Sequence, residues 1–261
     1  TEEACRTKAL AIRAGFLAAE KALPRLTLSQ LLSKYLEDRP LLSPSTRRSY
    51  ESYQRNAFAE FMNKDIRAIN WPHAIAAESE RVSKKTLKNE LGFVAAAYRE
   101  QKIPFDAVDL GVVPKADTPW LDYAQILTFV DAVRDTPVEL PALLALHSLR
   151  RSEIFALRPE DIDLKAETIS VSGATVYTSS AEWIRRDENK SARSQRIVPI
   201  VIPRLLEILR DHDGDMCPLG DGVRRQINRV CAANDLPEVG LHGLRRSFAS
   251  LAYHLGWPEE E

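Results

Sequence analysis

A mainly α-helical chain of two domains, the second carrying a small β-sheet, is the architecture this sequence predicts. Three observations carry that reading. Apolar residues recur at helical spacing through residues 25–103. The segment KIPFDAVDLGVVPKADTPW, residues 102–120, contains prolines and shows little periodicity. Beyond it, helical stretches are interrupted by three short strand-like runs at 168–172, 174–178 and 196–200.

The elements follow in chain order. Residues 1–23 read as one helix with Ile12, Phe16, Ala19 and Leu23 on a single face, ended by Pro24. Thr27 and Gln30 have capping-box spacing, and Leu28, Leu31, Leu32, Tyr35 and Leu36 form the stripe behind it. Ser43 is a candidate cap with Pro44 at the first helical position, and Tyr50, Ala57, Phe58 and Phe61 are expected to face inward. A short helix follows Trp71-Pro72. Ser83 caps a longer one whose Leu87, Leu91, Val94 and Tyr98 point to the core. Residues 25–103 therefore read as a bundle of about four helices, 104–120 as a linker, and 121–261 as a second domain.

In that second domain, 121–134 and 137–148 read as helices, and Arg150 to Leu157 as a further helix ending before Pro159. The runs 174–178 and 196–200 are expected to frame a hairpin with Lys190 near its tip. Helices return at 203–211, at 220–234 and from about residue 243.

Bulk properties narrow the function classes. The 261 residues are 44% hydrophobic with a net charge of −1. Residues 21–113 hold 15 Lys/Arg against 11 Asp/Glu, about +4, and residues 114–261 hold 18 against 23, about −5. A nucleic-acid surface must then be local, built from clustered cations. Cys5, Cys217 and Cys231 are scattered, odd in number and without metal-site spacing, which fits a reducing cytoplasm and argues against a disulfide framework or a zinc site. No apolar run is long enough to span a membrane.

Cations stand out in five places. Arg47 and Arg48 open one helix, and Lys84, Lys85 and Lys88 open another, where helix N-termini already favour phosphate. Arg224, Arg225 and Arg229 share a third helix. Arg150 and Glu153 lie three apart, as do His242 and Arg245. Each group, taken alone, is equally well read as a solvated face, a surface ion pair or a cap. Taken together, two arginines, a lysine and a histidine at element ends suit phosphodiester chemistry. Guanidinium forks match non-bridging oxygens and stay charged, a lysine can protonate a leaving alkoxide, and a histidine can donate to the phosphate or move a proton. Such a site needs no metal and no cofactor.

The order Arg-x-x-Glu, hairpin Lys, His-x-x-Arg resembles the tyrosine recombinases, in particular phage and prophage integrases. HSLRRSEIFALRPEDID is similar to their first motif, with His147-Ser148 where Thr-Gly is usual. NKSARSQRIVPI resembles their lysine hairpin, and HGLRRSFAS resembles their second motif. The resemblance covers residues 25 to 261. It implies a SAM-like core-DNA-binding domain at 25–103, a connecting helix at 1–24, and an α+β catalytic domain from 121. It implies that Arg150 and Arg245 clamp the scissile phosphate, that Lys190 is the general acid, that His242 assists, and that Glu153 orients Arg150. It further implies double-stranded attachment sites as substrate, a homotetramer on paired sites, and accessory DNA-bending or excision proteins in some members. The family's nucleophilic tyrosine lies well downstream of His-x-x-Arg. The chain ends 16 residues after Arg245, and Tyr253 is read as a packing aromatic of the same helix. The expectation is thus an incomplete catalytic domain that binds DNA without cleaving it. A type IB topoisomerase, a non-catalytic DNA-binding regulator or decayed prophage integrase, and a helical scaffold with coincidental motifs remain as alternatives.

Overall fold

The computed structural model describes residues 3, 5–13, 25–105, 108–114, 117–178, 180, 182–186, 195–212, 214–217 and 220–257. The chain divides into two compact units, Thr1–Pro114 and Lys115–Glu261.

In the first unit, Thr27 Oγ1 accepts from the Gln30 N–H at 3.2 Å while Gln30 Oε1 accepts from the Thr27 N–H at 2.9 Å. This reciprocal cap starts α1 (Leu28–Glu37), whose apolar stripe is buried. Ser43 caps α2 (Pro44–Asn56). That helix stops sooner than its apolar pattern suggests. Ala57 is extended and Phe58 is left-handed at φ 48°, so Ala57 and Phe58 enter the core from a turn, and Phe61 from the short 3-10 helix Ala59–Phe61 after it, rather than from α2. The buried Glu78 carboxylate accepts from the Phe58 N–H at 2.9 Å and helps to hold this turn. Asn70 caps α3 (Trp71–Arg81) and Ser83 caps α4 (Lys84–Glu100), which buries Leu87, Leu91, Val94 and Tyr98. Tyr50 is half-buried and stacks on Phe93 with ring centroids 4.2 Å apart. Residues 5–13 are helical; Phe16, Ala19 and Leu23 of the expected first helix lie outside the described residues.

In the second unit, Asp122 and Gln125 form the cap of α5 (Tyr123–Ala132). Next comes α6 (Glu139–Leu146), buried at every position. The helix expected over Arg150–Leu157 is only one turn, α7 (Arg151–Ile154), with Arg150 extended at its N-cap. Among the described residues, five strands follow: β1 (Ile162–Asp163), β2 (Thr168–Val171), β3 (Ala174–Tyr177), β4 (Trp183–Arg186) and β5 (Arg196–Pro199). The α-helices α8 (Pro203–Asp211), α9 (Val223–Ala233) and α10 (Leu241–His254) come after them. Helix α10 starts two residues before the position expected from Gly243. It packs on α5 and α6, and α8 packs on α6, so α6, buried along its whole length, is the central rod.

The strands pair differently from expectation. No hairpin joins 174–178 to 196–200. Instead β5 lies antiparallel to β2, with Ile169 opposite Val198 and Val171 opposite Arg196, and β3 pairs with β4. The reason is burial. Ile169, Val171 and Val198 present alternate residues to the core, whereas β4 keeps Trp183 and Ile184 exposed and thus hides its strand signal among arginines. Lys190 falls in 187–194, between β4 and β5, and lies outside the described residues. Among the described residues, no helix is long and apolar enough to cross a membrane.

Candidate functional site

The site is organised by the break between α6 and α7. His147 is fully buried and closes α6. Its Nδ1 donates to the Leu143 carbonyl at 2.7 Å, and its Nε2 accepts from the N–H groups of Val201 and Ile202 at 3.0 and 3.3 Å. These partners fix one neutral tautomer. Burial holds its pKa down, at about 4, against a smaller opposing pull from the Leu143 carbonyl. Ser148 then turns the chain in the left-handed region at φ 65°, which costs a residue with a β-carbon about 1–2 kcal/mol. Ser148→Gly is therefore expected to stabilise the second unit by about 1 kcal/mol, read as a higher midpoint in urea with an unchanged slope.

Beyond this turn the Ser148 carbonyl accepts from Arg196 and Arg245, and the Arg150 side chain reaches Glu153. Only 3% of Glu153 is exposed. Its Oε2 accepts from the Arg150 N–H at 2.7 Å and its Oε1 from Arg150 Nη1 at 2.7 Å. From β5, Arg196 brings Nη1 to Oε1 at 3.1 Å and Nη2 to Oε2 at 2.8 Å. From α10, Arg245 Nη1 lies 3.7 Å from Oε2. Arg196 Nη2 also donates to the Ser148 carbonyl at 2.8 Å, and Arg245 Nη1 bonds the same oxygen. Burial alone would raise the Glu153 pKa, but hydrogen bonds from Arg196 and Arg150 outweigh it and the net shift is downward. The pKa of Arg245 is also lowered, first by burial and then by the charges of Arg150 and Arg196, with Glu153 opposing. Three guanidiniums around one carboxylate leave a cluster of net charge +2.

Both arginine doublets split by function. Arg151, beside Arg150, lies over the rings of Phe155 and Trp183 at 5.1 and 5.5 Å. Arg246, beside Arg245, turns back to the Thr118 carbonyl at 2.7 Å. The entry segment 117–121 is pinned to α10 at two further points. Ser247 Oγ accepts from the Leu121 N–H at 2.8 Å. Gly243 brings α10 so close that a β-carbon there would stand 2.6 Å from the Pro119 oxygen. The motif HGLRRSF thus serves packing at Gly243, Arg246 and Ser247, and leaves His242 and Arg245 for other work.

The remaining candidates are distributed as follows. His242 is exposed in the first turn of α10, in a cleft that it shares with Arg224, Arg151 and Gly240. Arg245 borders a different cleft with Ser148, Trp120 and Tyr253. Tyr253 is 78% exposed, so it does not pack into the core as expected; it sits on the outer face of α10. Arg225 is exposed on α9. In the first unit, Lys84, Lys85 and Lys88 are exposed in the first turns of α4, and Arg48 is exposed on α2. Arg47, expected to face DNA, is partly buried and bonds within the protein. Its Nη2 donates to the carbonyls of Leu36 and Arg39 at 3.1 and 2.9 Å, satisfying the end of α1.

Arg196 is not among the candidates that the motifs single out, although a signal for it exists. In RIVP the residues alternate, with Ile197 out and Val198 in. Arg196 shares the inward face with Val198, and an inward arginine requires a buried acceptor. Chemically, the cluster presents two partly exposed guanidiniums, on Arg150 and Arg245, beside a buried carboxylate that a third guanidinium, Arg196, also grips. Such a fork pair suits a tetrahedral oxyanion.

No protein-family model and no curated protein matches the chain. Solved structures do. The Tn1549 transposon integrase in complex with transposon right-end DNA superposes with a TM-score of 0.70 at 17% identity, covering 90% of this chain and 89% of that one. A lambda integrase dimer bound to a COC′ core site gives 0.63 at 16% identity, over 92% and 74%. A lambda integrase tetramer bound to a Holliday junction gives 0.61 at 16% identity, over 100% and 85%. The chain has the fold of the tyrosine-recombinase integrases.

Proposed function

We propose that this chain is a site-specific DNA recombinase of the integrase type, which binds duplex DNA and activates one phosphodiester of it. The observation that carries this reading is the convergence of Arg150 from the α6–α7 break and Arg245 from α10 on Glu153 and the Ser148 carbonyl. It joins two of the three motifs that resemble the integrases, on a chain with their fold. In the proposed reaction the two guanidiniums hold the non-bridging oxygens of the scissile phosphate. Lys190 protonates the 5′-oxygen as it leaves, and His242 donates to the phosphate or moves a proton. A tyrosine attack would conserve the bond energy as a 3′-phosphotyrosyl link. None of the tyrosines in these 261 residues is assigned that attack, so the chain by itself is proposed to bind DNA without becoming joined to it. Double-stranded attachment sites, and four protomers on paired sites, are the proposed substrate and assembly. The solved integrases in complex with DNA, one of them a tetramer, support that choice.

Selection from a pool of random duplexes tests this. Enrichment of one sequence, bound at least about a thousandfold more tightly than the starting pool, is the result expected of a site-specific protein. Persistent binding of the whole pool with no enrichment would favour the topoisomerase-like or non-specific reading.

The lysines that open α4 are proposed to touch the DNA backbone. Replacing Lys84, Lys85 and Lys88 by Gln is expected to weaken duplex binding and to flatten the log–log salt dependence by about 2 to 3, near 0.9 for each phosphate no longer neutralised. A filter-binding series from low to moderate salt reads this slope.

A further inference from the structure

Arg196 touches the same two acceptors as the proposed phosphate clamp, yet it faces the protein. Its fork closes on both oxygens of Glu153, at 3.1 and 2.8 Å, and on the Ser148 carbonyl at 2.8 Å. A carboxylate 3% exposed is far from solvent screening and interacts strongly with every charge near it. If Arg150 and Arg245 had to neutralise Glu153 alone, their shared charge would fall to +1 and their donors would be drawn toward the carboxylate. From this arrangement we infer that Arg196 is a positioning residue of the clamp: it neutralises and orients Glu153, so that Arg150 and Arg245 keep their full charge and free donors for an incoming phosphate. The inference rests on the proposed reading of Arg150 and Arg245 as phosphate-holding groups, and it assigns a role to a residue to which the resemblance gives none.

The geometry explains why an arginine is used. Lysine offers a point charge with no planar fork, so it reaches one oxygen of Glu153 or the Ser148 carbonyl, but does not span all three acceptors in one plane. The position is also supported by the sheet: Arg196 sits opposite Val171 in the β2–β5 ladder, beside the buried Val198. A strand so paired delivers the side chain from a rigid element rather than from a loop.

The test uses tungstate, a tetrahedral oxyanion, as probe. Arginine Nε–H NMR signals of the whole chain are followed on titration, with Arg150→Ala and Arg245→Ala identifying the signals of the clamp. In the wild type, tungstate is expected to move both signals with one affinity. Arg196→Lys should bind about threefold more weakly and Arg196→Met at least tenfold more weakly. Arg196→Met combined with Glu153→Gln should return to within about threefold of wild type, because the carboxylate that needed neutralising is gone. A merely structural arginine would not be rescued in this way. Should Arg196→Met fail to melt cooperatively, Arg196→Gln replaces it in the same pairing. Wild-type affinity in the single variants, or a double variant as weak as the single, overturns the role of Arg196 while leaving the clamp intact. Tungstate that moves neither clamp signal in the wild type overturns the clamp itself, and the role of Arg196 with it.

Discussion

Glu153→Ala is expected to destabilise the second unit by about 2–3 kcal/mol. Removing one partner of a buried ion pair typically costs about 3–5 kcal/mol, since it strands the opposite charge. Here the stranded charges are three arginines that retain partial solvent access, with side chains 50%, 25% and 22% exposed, which reduces the penalty. The carboxylate also ties the Arg150 N–H at the start of α7, so that donor loses its partner as well. For a unit of this size the loss corresponds to a fall of about 2–4 °C in Tm per kcal/mol. Calorimetry on the variant checks it, and Glu153→Gln should lose less because its oxygen still accepts. A loss under about 0.5 kcal/mol for the alanine would mean that the three arginines reorganise freely and that Glu153 is not the hub.

Acid should weaken the second unit through His147. In the fold its pKa is held at about 4, and in the unfolded chain it returns to an ordinary value near 6.5. Between these values the unfolded state carries a proton that the folded state refuses. Unfolding therefore takes up a proton, and stability falls as pH drops through this window. The stabilising contribution is complete above about pH 6.5 and is lost by about pH 4. The full span is of order 3 kcal/mol, at about 1.4 kcal/mol per pH unit. Protonation would place an Nε2–H against the N–H groups of Val201 and Ile202, which both need that nitrogen as acceptor. Carboxylates titrate in the same range, so the contribution is read as a difference: urea midpoints of wild type minus those of His147→Gln, from pH 4.5 to 7. A positive slope in that difference is expected. A flat difference would show that the ring takes up its proton as readily in the fold as in the unfolded chain.

The sequence is most legible where local chemistry decides structure. Thr27 with Gln30, Ser43 with Pro44, and Ser83 each announce a helix through groups within three or four residues, and each cap forms. The stripe Leu87, Leu91, Val94 and Tyr98 reads directly as a buried face. What fails to show depends on distant partners. The chain breaks at His147 and Ser148 because the His147 ring finds its donors more than fifty residues away, at Val201 and Ile202. That bond pattern compensates for a left-handed serine that no local rule favours. β4 is hard to see because a strand with both faces half-exposed lacks the alternation that marks its neighbours.

The site divides along the same line. Arg150, Glu153 and Arg245 are visible as spaced motifs, and the fold joins them at one carboxylate. Arg196 is hidden because its partner is non-local. Arg47 misleads because a helix-opening arginine looks the same in sequence whether it faces DNA or satisfies the carbonyls of Leu36 and Arg39. Tyr253 reads as core from its helical setting, yet the structure exposes it, because α10 buries Leu244, Ser247 and Leu251 on its inner face.

Whether Arg150 and Arg245 grip one phosphate of duplex DNA is the question on which the proposed function turns. Its most direct test is a backbone scan of the duplex recovered by selection, with one phosphate at a time replaced by an uncharged methylphosphonate. One position per binding site is predicted where neutralisation weakens wild-type binding at least about tenfold, as expected when charge-assisted hydrogen bonds are removed. The same replacement should leave an Arg150→Ala, Arg245→Ala protein unchanged within about twofold, since that protein no longer carries the donors. If every position that weakens the wild type weakens the double variant equally, the two arginines do not hold a phosphate and the proposed clamp is wrong.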